Sequence, residues 1–291
     1  MRITRLLTAV VVPAALLLPA SAGTAAAAPV GSYVALGDSY TSGPFIPVQR
    51  LDPIGCARST ANYPSVVAAA LHPGRFTDVS CAGADTTDLT RPQSVPAGGT
   101  NAPQLDALRF DTGLVTLGMG GNDYGVFGTL TSTCPALRAS NPAGNPCEEH
   151  FSSSGTDTLS AALDNIGPRV EAALAAIHER SPRARVLVVG YPRILPEQGY
   201  CPDVLPFADG DYAWLNGIEE KLNLMLSDAA DADGKAEFVD TFGPSRGHDA
   251  CARGGAAWIN GQHQNVFAAA AYHPVQAGMA GVAAVVLKAL S

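Results

Sequence analysis

The strongest constraint on this fold is an alternation: five short apolar runs, each separated from the next by a helix-like stretch. The runs fall at 33–36, 76–79, 114–117, 186–189 and 237–239, and most are rich in Val and Leu and flanked by Gly. Continuous short runs of this kind suit strands covered on both faces, where no side chain turns to water. Between and after them the sequence predicts helices at 62–71, 103–109, 159–180, 212–231 and 275–290. In the third of these, Leu159, Leu163, Ile166, Val170, Leu174 and Ile177 recur every three or four residues, which places them on one helical face. Pro168 lies inside that pattern and predicts a kink or break near Gly167. Strand–helix alternation predicts a three-layer α/β/α sandwich around a five-stranded parallel sheet. Ligands bind such sheets at the carboxyl ends of the strands. The long connections at 44–61, 123–158, 191–211 and 241–272 should lie over that edge.

The first 28 residues read differently from the rest. Arg2 and Arg5 precede an apolar run at 6–19 and then a small-residue stretch ending at Ala28. A basic head, an apolar middle and an Ala-rich tail are the layout of a secretory signal peptide. The run is shorter than the roughly 20 residues a spanning helix needs, so export rather than anchoring is expected. Cleavage within 25–28 would leave residues 29–291 as one domain, secreted and without a stable membrane anchor. Loss of the two leader arginines takes the formal charge from −8 to −10. An acidic chain with no Lys/Arg cluster offers no electrostatic footing for nucleic acid.

An exported chain with six cysteines, Cys56, Cys81, Cys134, Cys147, Cys201 and Cys251, is expected to form three disulfides. No CxxC pair or nearby histidine pair supports a zinc site instead. Spacing cannot choose among the roughly fifteen connectivities six cysteines allow. The short Cys134–Cys147 interval spans a Ser-, Asn-, Gly- and Pro-rich stretch and looks like one closed loop. Pairing in sequence order then adds Cys56–Cys81 and Cys201–Cys251, and this is the pairing expected.

Three short segments stand at strand ends. The first strand runs into Gly37-Asp38-Ser39, the second into Cys81-Ala82-Gly83-Ala84, and the third into Gly120-Gly121-Asn122-Asp123. A fourth, Tyr272-His273-Pro274, precedes the last helix. Together and in this order they resemble the SGNH (GDSL-type) hydrolases, and most closely the secreted bacterial esterases, lipases and phospholipases with three disulfides. The likeness runs from the first strand to the last helix.

The resemblance implies a role for each matched position. Ser39 would be the nucleophile, since a hydroxyl attacks an ester once a base removes its proton. His273 would be that base and would then protonate the leaving alkoxide. The backbone N–H groups of Ser39 and Gly83 and the side-chain amide of Asn122 would form the oxyanion hole. The family usually carries an aspartate three residues before the histidine, where this chain has Ala270. A backbone carbonyl, that of Ala270, is expected to orient the imidazole in its place, giving a Ser–His dyad. Asp249 is the nearest candidate for a remote acid. Tyr40 replaces the family's usual leucine and is expected to pack beneath the turn, while Asp38 and Asp123 are expected to bond local backbone. His72, His248 and His263 lack surrounding motifs, and the latter two are expected on the surface.

The activity implied is hydrolysis of a small-molecule or lipid carboxylic ester, with neither cofactor nor metal, by a monomer. Phospholipase A-type cleavage and polysaccharide deacetylation are alternatives on the same fold. The low aromatic content, 7%, weighs against a sugar platform. A secreted binding protein with a dead site is the non-enzymatic alternative, against which the intact Ser39, Gly83, Asn122 and His273 argue.

Overall fold

The structure, a computed structural model, describes residues 31–96 and 98–291; the signal-peptide segment lies outside these residues. Five strands form one parallel sheet: β1 (Ser32–Gly37), β2 (Arg75–Asp78), β5 (Leu114–Gly118), β6 (Arg185–Val189) and β7 (Ala236–Val239). Their order is β2-β1-β5-β6-β7. A separate two-stranded ribbon pairs β3 (Gln93–Ser94) with β4 (Thr100–Asn101). Each apolar run in the sequence falls within or beside a sheet strand; the three central strands are buried almost throughout, and the edge strands β2 and β7 only in part.

Period-two alternation splits the strand residues between the two faces. Tyr33 and Ala35 of β1 pack with Leu114, Leu187 and Val189 under α2 (Tyr63–Leu71) and α8 (Gln276–Leu290). Val34 and Leu36 pack with Val115, Leu117, Val186 and Val188 on the other face. That layer is covered by α6 (Ile166–Arg180) through Val170, Leu174 and Ile177, and by α7 (Asp211–Asp233) through Leu222 and Leu226. The three-layer α/β/α sandwich expected from the alternation is therefore the observed architecture.

Three local expectations differ from the structure. The 159–180 helix is two helices, α5 (Thr158–Leu163) and α6, with the break at Asp164 and Asn165 rather than at Gly167. Pro168 falls in the first turn of α6, where its missing N–H has no intrahelical partner to lose, so it starts a helix instead of kinking one. The predicted 103–109 helix is only a 3₁₀ turn, Gln104–Ala107, and Leu108 is already extended. Conversely, the 123–158 connection contains α3 (Val126–Leu137) and α4 (Pro146–Ser152). Its Ser, Thr, Gly and Pro give low helix propensity. The two helices are held by tertiary means: the Cys134–Cys147 disulfide, and Val126 and Phe127 packed on the core.

All three disulfides join the expected partners: Cys56–Cys81, Cys134–Cys147 and Cys201–Cys251. Each fastens a connection at or near the carboxyl edge of the sheet.

Candidate active site

β1 ends at Gly37, and a side chain there would drive a Cβ to 2.1 Å from Thr41 Oγ1 and 2.7 Å from the Gly118 carbonyl oxygen. Glycine is the residue that lets the chain turn so tightly at this point. Gln104 clamps the strand end, accepting from the Gly37 N–H at 2.8 Å and donating to its carbonyl at 3.0 Å. Asp38 then caps a four-residue helix, α1 (Ser39–Ser42), by accepting from the Tyr40 N–H, and Gly43 ends it in the left-handed region. Ser39 is thus the first residue of a helical turn standing on the carboxyl end of β1. Its backbone N–H and that of Gly83 have no hydrogen-bond partner among the described residues.

The next two segments are tied to that turn. The Cys81 N–H donates to the Gly37 carbonyl at 3.0 Å, and Cys56–Cys81 fixes the same stretch covalently. Gly83 has φ +77°, which glycine adopts freely. Asn122 follows β5 and donates through Nδ2 to the Ala84 carbonyl at 2.9 Å. That bond fixes the amide plane and leaves its second N–H available. Asp123 is fully buried and accepts from the Thr86 N–H, from Thr86 Oγ1 and from Arg169 Nη1, so it binds the third segment to the second and to α6. Its partners lie far along the chain, not in the local backbone that was expected. Asp38 does bond local backbone, at Tyr40, and in addition accepts from Tyr191 Oη at 2.5 Å. Burial pushes the Asp38 carboxyl up to about 7.

The fourth segment arrives from the far end of the chain. His273 Nε2 lies 2.8 Å from Ser39 Oγ, across 234 positions of sequence. Its Nδ1 lies 2.6 Å from the Ala271 carbonyl oxygen. This corrects the expected partner, Ala270. The Ala270 carbonyl is used inside the turn, accepting from the His273 N–H at 3.3 Å, and also from Asn260 Nδ2 at 3.0 Å. Tyr272 takes φ +60°, and this left-handed residue turns the Ala271–Tyr272 peptide so that the next carbonyl faces the ring. Asp249, the candidate remote acid, instead accepts from the Cys251 N–H. The imidazole packs against the rings of Tyr40 and Phe127, with centroids 5.2 and 5.3 Å away. Loss of solvation lowers its pKa to about 4, opposed by the hydrogen bond that Nδ1 donates to the Ala271 carbonyl. At neutral pH the ring is an uncharged base, with Nδ1–H donated to Ala271 and Nε2 free to accept from Ser39.

Of the other histidines, His72 caps the end of α2 and His263 is exposed. His248 is half-buried against Trp258 rather than on the surface.

Ser39 and Asn122 border a narrow cavity of about 70 Å³. Its walls are Val126, Phe127 and Leu130 of α3, Leu163 of α5, Leu215, Ile218 and Leu222 of α7, and Leu195 and Phe207. Tyr40 belongs to this wall: its ring packs against His273, Phe127 and Tyr191, and its hydroxyl donates to the Tyr272 carbonyl at 2.5 Å. The sequence pointed to a residue tucked beneath a turn. The tyrosine's ring and hydroxyl instead serve the pocket and the His273 loop together. The α3 and α7 contributions went unseen because an apolar helical face looks the same whether it meets a core or a slot.

The GDSL-like Lipase/Acylhydrolase family model matches residues 35–280. The chain is 42% identical over 244 residues to Lipase 2 of Streptomyces coelicolor, covering 82% of this chain and 79% of that protein. Among solved structures, phospholipase A1 from Streptomyces albidoflavus superposes with a TM-score of 0.72 at 28% identity, covering 90% of this chain and all of that one. The extracellular lipase from Streptomyces rimosus does so with 0.71 at 28%, covering 89% and 99%. The order of the four segments, the sheet that brings them to one edge and these likenesses lead to one conclusion: the chain belongs to the GDSL-like lipase/acylhydrolase family.

Proposed function

We propose that this ester hydrolase is exported and cleaves lipid-type carboxylic esters through an acyl-enzyme on Ser39, with His273 as its only side-chain base. The observation that carries the reading is the 2.8 Å Ser39 Oγ–His273 Nε2 contact at the border of an apolar slot. His273 takes the Ser39 proton as Oγ bonds to the ester carbon, and the carbonyl electrons move onto oxygen. That oxyanion accepts from the Ser39 and Gly83 N–H groups and from the Asn122 amide. As the oxyanion collapses, the ester C–O bond breaks and His273 returns the proton to the departing alcohol. Water then attacks the acyl-enzyme while giving a proton to His273, and the acid leaves as Ser39 recovers its proton. The Ala271 carbonyl keeps the imidazole in the tautomer this cycle requires, the role an aspartate usually fills.

The apolar walls favour an acyl chain over an acetyl group on a polysaccharide. The names of the Streptomyces relatives, two lipases and a phospholipase A1, point the same way. Three disulfides and the leader-like N-terminus support export. We further propose that the mature protein acts as a monomer. The test is labelling with a serine-reactive organophosphorus probe, beside hydrolysis of esters of increasing acyl length, a phospholipid and acetylated xylan. Wild type should label and favour the longer acyl esters, and Ser39→Ala should do neither. Residual turnover near wild type in folded Ser39→Ala removes Ser39 as the nucleophile.

A further inference from the structure

One wall residue of the slot does not match its neighbours. Glu219 stands on α7, one position beyond Ile218 and three before Leu222, and it is only 8% exposed. Its Oε1 accepts from the Ile194 N–H at 2.8 Å. Its Oε2 is buried and makes no full hydrogen bond among the described residues; beside the Ile194 N–H, that of Leu195 also favours the charged carboxyl. Arg193 is the nearby cation and its charge favours the ionised carboxyl, but it is stacked on Phe242 with Nη1 donated to Asn216, and no ion pair joins it to Glu219 among the described residues. The wall of the slot therefore carries a residue with one buried oxygen that the protein leaves without a full hydrogen bond.

An unpaired buried polar group is costly, and a plain alkyl chain laid against it leaves that cost in place. A substrate hydroxyl relieves it. We propose that Glu219 is a specificity-determining residue that favours an acyl chain bearing a hydroxyl group over a plain alkyl chain of the same length. The inference rests on the reading of the slot as the acyl site. It differs from that reading in naming the chemistry of the chain.

Burial holds the Glu219 carboxyl up at about 8, so at neutral pH it is protonated and can both donate to and accept from a hydroxyl. Above that pH it becomes a carboxylate, which an alkyl chain meets badly and a hydroxyl still serves as donor. The charged and titratable groups around it are Arg193 and Asp249 from the connections after β6 and β7, and Tyr40 from α1. Asp38 and Tyr191 line the same cavity.

The experiment compares kcat/KM for the 4-nitrophenyl esters of octanoic acid and of a set of hydroxyoctanoic acids, the hydroxyl scanned along the distal half of the chain. In wild type the best hydroxy ester should exceed octanoate by about tenfold, the scale on which a buried hydrogen-bonding site rejects an analogue lacking its partner being at least this large. Glu219→Leu should bring the ratio to one or below. Glu219→Gln keeps an acceptor for Ile194 and a polar group in the slot, so it should keep a preference. The wild-type ratio should rise as pH passes about 8, and that of Glu219→Gln should stay flat. If Glu219→Leu does not fold, the Gln variant and the pH series decide. A wild-type ratio within about twofold of one for every isomer, or a pH response shared by Glu219→Gln, overturns the proposal. Failure of wild type to hydrolyse any of these esters would instead sink the ester-hydrolase reading beneath it.

Discussion

The acid limb of the pH–rate profile is the most direct probe of how this site works without a carboxylate behind its histidine. His273 sits between the Tyr40 and Phe127 rings and is lowered from its ordinary 6.5 to about 4 by loss of solvation. That difference corresponds to about 3 kcal/mol against the imidazolium. On the proposed mechanism kcat/KM requires the neutral ring in the free enzyme, so its acid limb should fall with a midpoint near 4. Phe127→Ala admits water to one face of the ring, so its midpoint should move up toward 6.5. At pH 5 the variant should then lose roughly tenfold more activity than at pH 8, because a base of pKa near 6 is about nine-tenths protonated there. The same shift carries a stability consequence of fixed sign. The unfolded chain takes up the proton first, so stability is lost as pH falls from 6.5 toward 4, by up to about 3 kcal/mol from this group. The assay is initial-rate kinetics on a soluble ester between pH 3.5 and 9, with circular dichroism at each pH to confirm folded enzyme. A wild-type midpoint at or above 6.5 would refute the reasoning, since it would require a well-solvated or carboxylate-paired imidazole.

Two further outcomes follow from the geometry. Asn122→Ala should lower kcat by about 10²–10³ with little change in KM, because on the proposed mechanism the amide, held in plane by Ala84, meets the oxyanion rather than the ground-state ester; a raised KM at unchanged kcat would assign it to substrate binding. Replacing Cys201 and Cys251 together by alanine removes a bridge spanning 50 positions, which the chain-entropy account values at about 4 kcal/mol; thermal unfolding at matched pH measures it, and an unchanged Tm would mean the connections are held by packing alone.

The sequence was most legible where one physical demand acts on contiguous residues. A strand covered on both faces has to be apolar along its length, as the three central strands β1, β5 and β6 largely are. The edge strands β2 and β7 carry exposed Arg75 and Glu237 and were located by their shorter apolar runs. The segments around Ser39, Gly83 and Asn122 were legible through their joint likeness, in order, to the SGNH hydrolases, since each alone is a short and weak signal. Legibility failed where the deciding interaction is remote. Val126–Leu137 is a helix because a disulfide and a distant core hold it, despite Pro135 within it. Asp123 finds its partners at Thr86 and Arg169, which no local pattern connects to it.

The choice of Ala271 over Ala270 shows the finest grain of this limit. Four consecutive alanines, 268–271, give the sequence no side chain by which to rank their carbonyls. The ranking comes from backbone geometry: Tyr272 in the left-handed region turns one peptide toward the ring and commits the preceding carbonyl to the turn and to Asn260. Left-handed backbone costs a tyrosine energy that a glycine would not spend. Two contacts oppose that cost: the Tyr40 hydroxyl bonds the Tyr272 carbonyl, and the Tyr272 ring stacks on Phe207, centroids 6.1 Å apart. The tyrosine that stands where the family usually carries leucine therefore anchors the very turn that supplies the carbonyl to His273. One buried hydroxyl, that of Tyr40, thus fixes the backbone whose Ala271 carbonyl meets His273 Nδ1, the position at which the proposed mechanism needs an acceptor.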